Sequence, residues 1–222
     1  MDFSPLIITV KTSVCATLLC FILGLYAARW VHFSTIKFKW LIDGLFTLPL
    51  VLPPTVVGFI LLLLTGRNGI VGKLLELFHL RLVFSWAGAV LCAVVVSFPL
   101  MYKTVRGAFE QIDNNIVYAA RTLGLSENYI FWKIIFPVCL PSIGAATILA
   151  FARATGEFGA TLMVAGNIPG KTQTISLLIY TAVSSGDMNV ALFWVLVIII
   201  FSVTSVSCMN IWLQRKSIFT KL

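Results

Sequence analysis

The sequence predicts an all-α polytopic membrane protein with about five transmembrane helices in a single domain, residues 1–222. Three observations carry that reading. Of the 222 residues, 59% are apolar and only 11% are charged, against roughly 25% charge in soluble domains. Mean hydropathy is +1.01, more apolar surface than a water-soluble globule of this length can hide. Finally, five stretches reach the roughly 20 mostly apolar residues that a membrane helix needs. A disordered chain and a disulfide scaffold are excluded by the same composition, with Cys15, Cys20, Cys92, Cys139 and Cys208 dispersed along the chain.

The spans are about residues 5–28, 41–65, 82–102, 140–164 and 188–213, joined by short connections and a longer loop over 103–139. The first is expected to be an uncleaved helix, because no Lys or Arg precedes its apolar run and the run exceeds a typical signal h-region. Lys and Arg orient the set. Ten of them fall on one side: Arg29, Lys37, Lys39, Lys103, Arg106, Arg121, Lys133, Arg215, Lys216 and Lys221. Arg67, Lys73, Arg81 and Lys171 fall on the other. The bias puts the N-terminus outside and the C-terminus in the cytoplasm. The net charge of +8 therefore reads as topology. Nucleic-acid binding is disfavoured, since the cations are scattered among apolar helices and form no basic face.

Within the second span, Pro49, Pro53 and Pro54 each remove a backbone donor and crowd the preceding turn. They predict a kinked or broken helix. The freed carbonyls must find partners in protein or in a water-filled cavity. A packing kink and a pathway lining both fit; in the second reading Thr55 offers its hydroxyl. The fourth span carries Arg153 and Glu157, four apart and so on one helix face. Charges at membrane depth are costly and usually paired or functional. A structural ion pair and a gate element both remain open. Ala152, Gly156 and Gly159 allow close helix approach.

The cytoplasmic loop holds Ala119-Ala120-Arg121-Thr122-Leu123, a short helix former, stopped at Gly124. Leu125 and Ser126 follow, with Ser126 suited to cap a second helix over 127–136 that ends at Pro137. Composition alone allows an interfacial helix lying on lipid. The outer segment Gly166-Asn167-Ile168-Pro169-Gly170-Lys171-Thr172 has three residues before its Gly-Lys where a phosphate loop has four, so nucleotide binding is rejected. An ordered turn near the entrance is expected there, with Lys171 either solvated or attracting anions. No zinc-ligand spacing and no HExxH, GxSxG or CxxC motif is present, so no metal site and no enzyme site is expected.

The loop resembles the cytoplasmic "EAA" loop of ABC-importer permeases, Glu-Ala-Ala, three residues, Gly, nine residues, Ile-x-Leu-Pro. Ala119, Ala120, Gly124, Ile134 and Pro137 fall in register, while Tyr118 and Phe136 replace the leading Glu and the Leu. Residues 49–58 (PLVLPPTVVG), 156–161 (GEFGAT) and 166–174 (GNIPGKTQT) resemble the molybdate branch of that family, in order along nearly the whole chain. The resemblance implies a type I ABC importer permease fold whose loop, through Ala119, Ala120, Arg121, Gly124, Leu125 and Ser126, docks on a separate ATPase. It implies a homodimer of this chain, two ABC ATPase subunits, a periplasmic oxyanion-binding protein and the bacterial inner membrane. ATP and Mg belong to the ATPase partner, and no cofactor is expected on this chain. The implied activity is molybdate import by alternating access, with Pro53, Pro54, Thr55, Arg153, Glu157 and Gly159 as pathway or gate candidates. Sulfate, thiosulfate or tungstate is the alternative cargo. A passive channel or membrane scaffold would need no such loop, and an intramembrane enzyme lacks its catalytic constellation.

Overall fold

The computed structural model describes residues 2–219, with side chains at 212 and 214–219 left aside. Of the cations used to orient the chain, Lys221 and the side chains of Arg215 and Lys216 therefore lie outside the described residues. The described chain is helical throughout: α1 (Ser4–Phe33), α2 (Lys39–Val51), α3 (Pro54–Thr65), α4 (Ile70–Glu76), α5 (Trp86–Glu110), α6 (Asn114–Thr122), α7 (Glu127–Ile130), a π turn over Phe131–Ile135, α8 (Phe136–Thr155), α9 (Gly159–Val164), α10 (Ile175–Ser184) and α11 (Met188–Phe219). Four helices are long and apolar enough to cross a membrane: Ser4–Phe33, Trp86–Glu110, Glu127–Thr155 and Met188–Ile211. The pair Lys39–Val51 and Pro54–Thr65, bent by 113°, makes a fifth span if counted as one.

The core is the three-helix contact of α1, α5 and α8, and small residues build it. Ala16, Cys20 and Ala28 meet Ala93, Met101 and Val105, and Ile143, Ala146 and Ala150 close the third side. Small side chains bring membrane helices close, where no hydrophobic driving force separates lipid from protein. Gly24 shows the tightness: a Cβ there would lie 2.6 Å from Met101 Cγ. The Cys20 thiol donates to the Val94 carbonyl at 3.4 Å. Cys20, Cys92 and Cys139 are buried and pack as small groups, Cys15 is half-buried, and Cys208 is exposed. α11 rests on α8 and α10 at the margin, and Leu192, Leu196, Ile199, Ile200 and Val203 on it are exposed, as suits a lipid face.

Three expectations need correction. The helix expected to stop at Pro137 continues into the membrane, so 127–155 is one path, not a surface helix followed by a separate span. The π turn widens the hydrogen-bond ladder just before Pro137, where the ring would otherwise meet the carbonyl four residues back. The fourth span does not run unbroken from 140 to 164: it ends at Thr155, and α9 starts afresh at Gly159. The stretch after it, treated as a plain connection, contains α10, capped by Thr174, whose hydroxyl accepts from Leu177 N at 3.4 Å.

Candidate functional site

The first break separates α2 from α3. A residue before proline is pushed out of the helical region. Here Leu52 precedes Pro53 and Pro53 precedes Pro54, so two consecutive residues are extended, at φ −73°, ψ 142° and φ −54°, ψ 137°. Those two residues turn the chain by the 113° between the helices. Pro54 then opens α3 at a position where a missing N–H costs nothing. Its N-cap, Pro53, has no side chain that could cap it, and none of the other described residues does so. The Val56 and Val57 N–H groups turn back to the Pro53 carbonyl at 2.9 and 3.2 Å, and Pro53, Pro54 and Thr55 are all exposed on the single protomer.

The second break separates α8 from α9, at Gly156-Glu157-Phe158. Glu157 is 3% exposed. Its Oε1 accepts from the Ala160 N–H at 2.8 Å and so caps α9. Its Oε2 lies 2.9 Å from Arg153 Nη1, an ion-pair distance without the alignment of a hydrogen bond. Arg153 sits in the last turn of α8 and Glu157 just beyond its end. The pair therefore forms across a helix terminus, where the sequence placed it on one continuous helix. Phe158 leans on Tyr180 of α10, with centroids 5.2 Å apart.

These two breaks meet. A Cβ on Gly58 of α3 would come within 2.7 Å of Ala160 Cα, and one on Gly159 within 3.2 Å of both the Pro54 and Thr55 side chains. The Cys92 thiol of α5 donates to the Ala160 carbonyl at 3.3 Å and holds α9 from behind. Pro54, Thr55, Glu157 and Gly159 thus belong to one junction, with Pro53 and Arg153 at its edges. Of the three small residues credited with close approach, only Gly159 makes one. Ala152 is exposed, and a Cβ on Gly156 would meet nothing nearer than Ala152 O at 3.8 Å. Gly58, which sequence reasoning passed over, makes the tightest contact of the junction.

The elbow formed by α6 and α7 lies apart from that junction. Asp113 caps α6 by accepting from Asn115 N at 2.9 Å. Gly124, at φ 76°, ends it in the left-handed region that glycine enters cheaply. Ser126 caps α7, accepting from Tyr129 N at 3.3 Å. Arg121 closes the angle on Glu127 with two hydrogen bonds, 2.7 and 3.1 Å. The Glu127 carboxylate raises the Arg121 pKa above its ordinary value, and the Arg121 guanidinium lowers that of Glu127. Arg29 of α1 ties the elbow to the bundle, donating to Asn128 Oδ1 at 2.6 Å and lying 4.1 Å over the Phe131 ring. Val117 and Ala120 turn inward and are buried. Ala119 points out beside Ile116, Tyr118 and Leu123, and Leu123 is 79% exposed. Only one alanine of the pair is therefore open to a partner.

A family model described as "Binding-protein-dependent transport system inner membrane component" matches residues 21–216. A molybdenum transport system permease protein ModB of Escherichia coli (strain K12) is 43% identical over 185 residues, 83% of this chain and 81% of the relative. A ModB of Mycobacterium tuberculosis is 38% identical over 197 residues, 88% of this chain and 75% of the relative. The chain belongs to the binding-protein-dependent transport family of inner-membrane components. Among solved structures, a bacterial ABC transporter for the import of alginate aligns at TM-score 0.81 and 14% identity, over 96% of this chain and 79% of that one. The inward-facing MetNI methionine ABC transporter aligns at 0.77 and 14%, over 95% and 94%. The fold is that of type I ABC importer permeases.

In this inner-membrane component the segment after α9 is an ordered turn. Gly166 and Gly170 take φ 68° and 72°, and Lys171, Thr172 and Gln173 N–H groups converge on the Ile168 carbonyl at 3.1, 2.9 and 3.1 Å. It is locked to α1 where Ile175 N donates to Thr9 Oγ1 at 2.9 Å. Lys171 itself is exposed and lines a cavity of about 650 Å³ with Arg67, Glu76 and Arg81. Sequence reasoning also missed Asp43. It is the only charged residue of the 41–65 stretch, a signal of the same kind that drew attention to Arg153 and Glu157. In the structure it pairs with Arg106 of α5.

Proposed function

We propose that this chain is the membrane-embedded permease of an ATP-driven importer of molybdate. The supporting observation is the junction of two broken helices with one side left open. Pro53, Pro54 and Thr55 carry an uncapped helix start on an exposed face at membrane depth. Lipid satisfies no backbone group, so such a face belongs against protein or a water-filled route. A second copy of the chain supplies the other wall, and the anion passes between them. The Thr55 hydroxyl and the Thr55 N–H, the one amide in the first turn of α3 without a carbonyl partner among the described residues, offer weak, releasable contacts to a tetrahedral dianion. A ring of fixed positive charge would hold it too firmly to conduct.

Two ABC ATPase subunits dock on the elbow at Ala119, Leu123 and their exposed neighbours, and ATP and Mg bind there and not on this chain. A periplasmic oxyanion-binding protein delivers cargo from the side where α1 begins, with the C-terminus in the cytoplasm. The elbow then moves as a lever, since its caps, the Arg121–Glu127 pair and the unbroken path into α8 make it stiff. Molybdate is the cargo named for relatives such as the Escherichia coli protein; sulfate, thiosulfate and tungstate share its shape and charge.

Uptake of radiolabelled molybdate into vesicles tests the reading. ATP-dependent accumulation is expected, with tungstate competing and excess sulfate leaving it intact. Entry without ATP that stops at equal concentrations would instead indicate a passive channel, and displacement by sulfate would reassign the cargo. Deleting residues 119–123 should leave a folded membrane protein that no longer co-purifies with an ATPase; retained ATPase would remove the docking assignment.

A further inference from the structure

α2 is held to the bundle in an unusual way. None of its residues is buried, and it packs chiefly on α5. The contact consists of one aromatic group and one polar knot. Phe46 meets Phe98 and Tyr102 edge-on, with centroids 5.4 and 5.1 Å apart. One turn closer to the start of α2, Asp43 accepts a hydrogen bond from the Tyr102 hydroxyl and an ion pair from Arg106 Nη1. Arg106 also donates through Nε to Glu110 Oε1 at 2.9 Å and through Nη1 to the Tyr102 oxygen at 3.3 Å. The Asp43 and Arg106 side chains are only 26% and 21% exposed, and Tyr102 is 1% exposed. A charge pair this sheltered is screened little by salt.

Its position matters more than its strength. Arg106 lies one turn before Glu110, the last residue of α5, and Asp113, the cap of α6, follows three residues after Glu110. On the other side, Asp43 stands in the first turns of α2, whose far end is Leu52 and the proline break. That is nine residues, about 14 Å along a helix. The knot is thus a short physical link between the elbow and the open junction face, through an element otherwise held by Phe46, by Ile42 and by a hydrogen bond from Lys39 Nζ to the His32 carbonyl at 3.0 Å.

We propose that Arg106 is a positioning residue that clamps α2 to the end of α5, so that displacement of the elbow is carried to Pro53–Thr55. This rests on the importer reading for its sense of direction, but it concerns how one end of the protein moves the other. Without the clamp, α5 and the elbow move while α2 stays behind. The ATPase still docks and still turns over, while the break keeps only its contact with α9 to follow the motion.

The test uses the permease purified with its ATPase partner, carrying Val51→Cys as a reporter beside the break. Val51 is 81% exposed. Its labelling rate by a maleimide, corrected for the parent chain, is measured with and without a non-hydrolysable ATP analogue. A nucleotide-dependent change of several-fold is expected, falling to less than two-fold in Asp43→Asn and in Arg106→Gln, and restored in Arg106→Lys. Asp43→Asn keeps the size of the side chain and its acceptor for Tyr102, so a folded variant is available even if Arg106→Gln assembles poorly. The double variant should be no worse than the poorer single one, as for two partners of one contact. ATP hydrolysis should stay within two-fold of the parent while molybdate uptake per ATP falls about ten-fold. An unchanged labelling response in the two neutral variants, or none in the parent, overturns the clamp. A parent complex with the labelling response but no molybdate uptake overturns the cargo reading alone. If uptake and hydrolysis fall together with the amount of assembled complex, the knot is only structural.

Discussion

The two breaks that meet beside α5 are finished in opposite ways. Between α8 and α9, Glu157 caps the new helix through Ala160 N and neutralises Arg153, all within one buried carboxylate. Between α2 and α3, two extended residues and a proline start leave an exposed face with no side-chain cap. The first break is complete inside one chain. The second is complete only against something else, and in a membrane that means a partner surface or water. The difference lies in where each break finds the partners its helix ends lack.

The largest expected effect breaks the closed side. Glu157→Leu leaves Arg153 without its counter-charge and the Ala160 N–H without its acceptor. Removing one partner of a buried pair costs about 3 kcal/mol or more. The variant should melt well below the parent in detergent, or fail to yield monodisperse protein. Glu157→Gln keeps the cap and loses only the charge, and should recover a large part of that loss. Exchanging Arg153 and Glu157 keeps both charges but puts a donor-only guanidinium where the Ala160 N–H needs an acceptor, so it should restore less stability than Glu157→Gln; full recovery would show that the ion pair, and not the cap, holds α8 to α9.

Next comes the contact between the breaks. Gly58→Ala drives a methyl against the Ala160 backbone, 2.7 Å from Cα and 3.1 Å from its carbonyl oxygen, and backbone held by the Cys92 thiol and the Glu157 cap has little room to retreat. Overpacking of this kind costs about 1–3 kcal/mol. Gly159→Ala meets Pro54 and Thr55 at 3.2 Å, on the side that is open and can give. It should destabilise less than Gly58→Ala in the same thermal melt. The reverse order would mean that the open face is the stiffer one.

Much of this was legible in the sequence, and what was not has physical reasons. The broken second span follows from Leu52-Pro53-Pro54, because each proline disfavours helix in the residue before it. Yet Pro49, Pro99 and Pro141 all lie inside helices that continue, and Pro137 is absorbed by a π turn. A lone proline in a buried membrane helix is tolerated when neighbours resatisfy the backbone; only the adjacent pair stops the chain. The break at Glu157 carried no such mark, since i and i+4 charges look alike whether the helix between them continues or ends. The elbow was readable from Gly124 and Ser126 because caps are local chemistry. That Ala120 faces inward and Ala119 outward depends on which side of α6 meets the bundle, which no motif records. Asp43 was overlooked because its partner, Arg106, lies 63 positions away.

The smallest effect on stability, and the most telling for function, belongs to Thr55. Its side chain is exposed on the open face, and exposed substitutions usually change stability by less than about 0.5 kcal/mol. Thr55→Leu should therefore melt like the parent and still co-purify with the ATPase. If the open face is the wall of the anion's route, replacing a hydroxyl with an isobutyl group removes a polar contact and adds apolar bulk where a hydrated dianion must pass. Molybdate uptake should drop while ATP hydrolysis continues. If Thr55→Leu transports at the parent rate, the face that lacks a cap is covered by protein and the anion goes elsewhere. The contrast between a sealed break and a working one would then reduce to a contrast between a break sealed within the chain and one sealed by its neighbour.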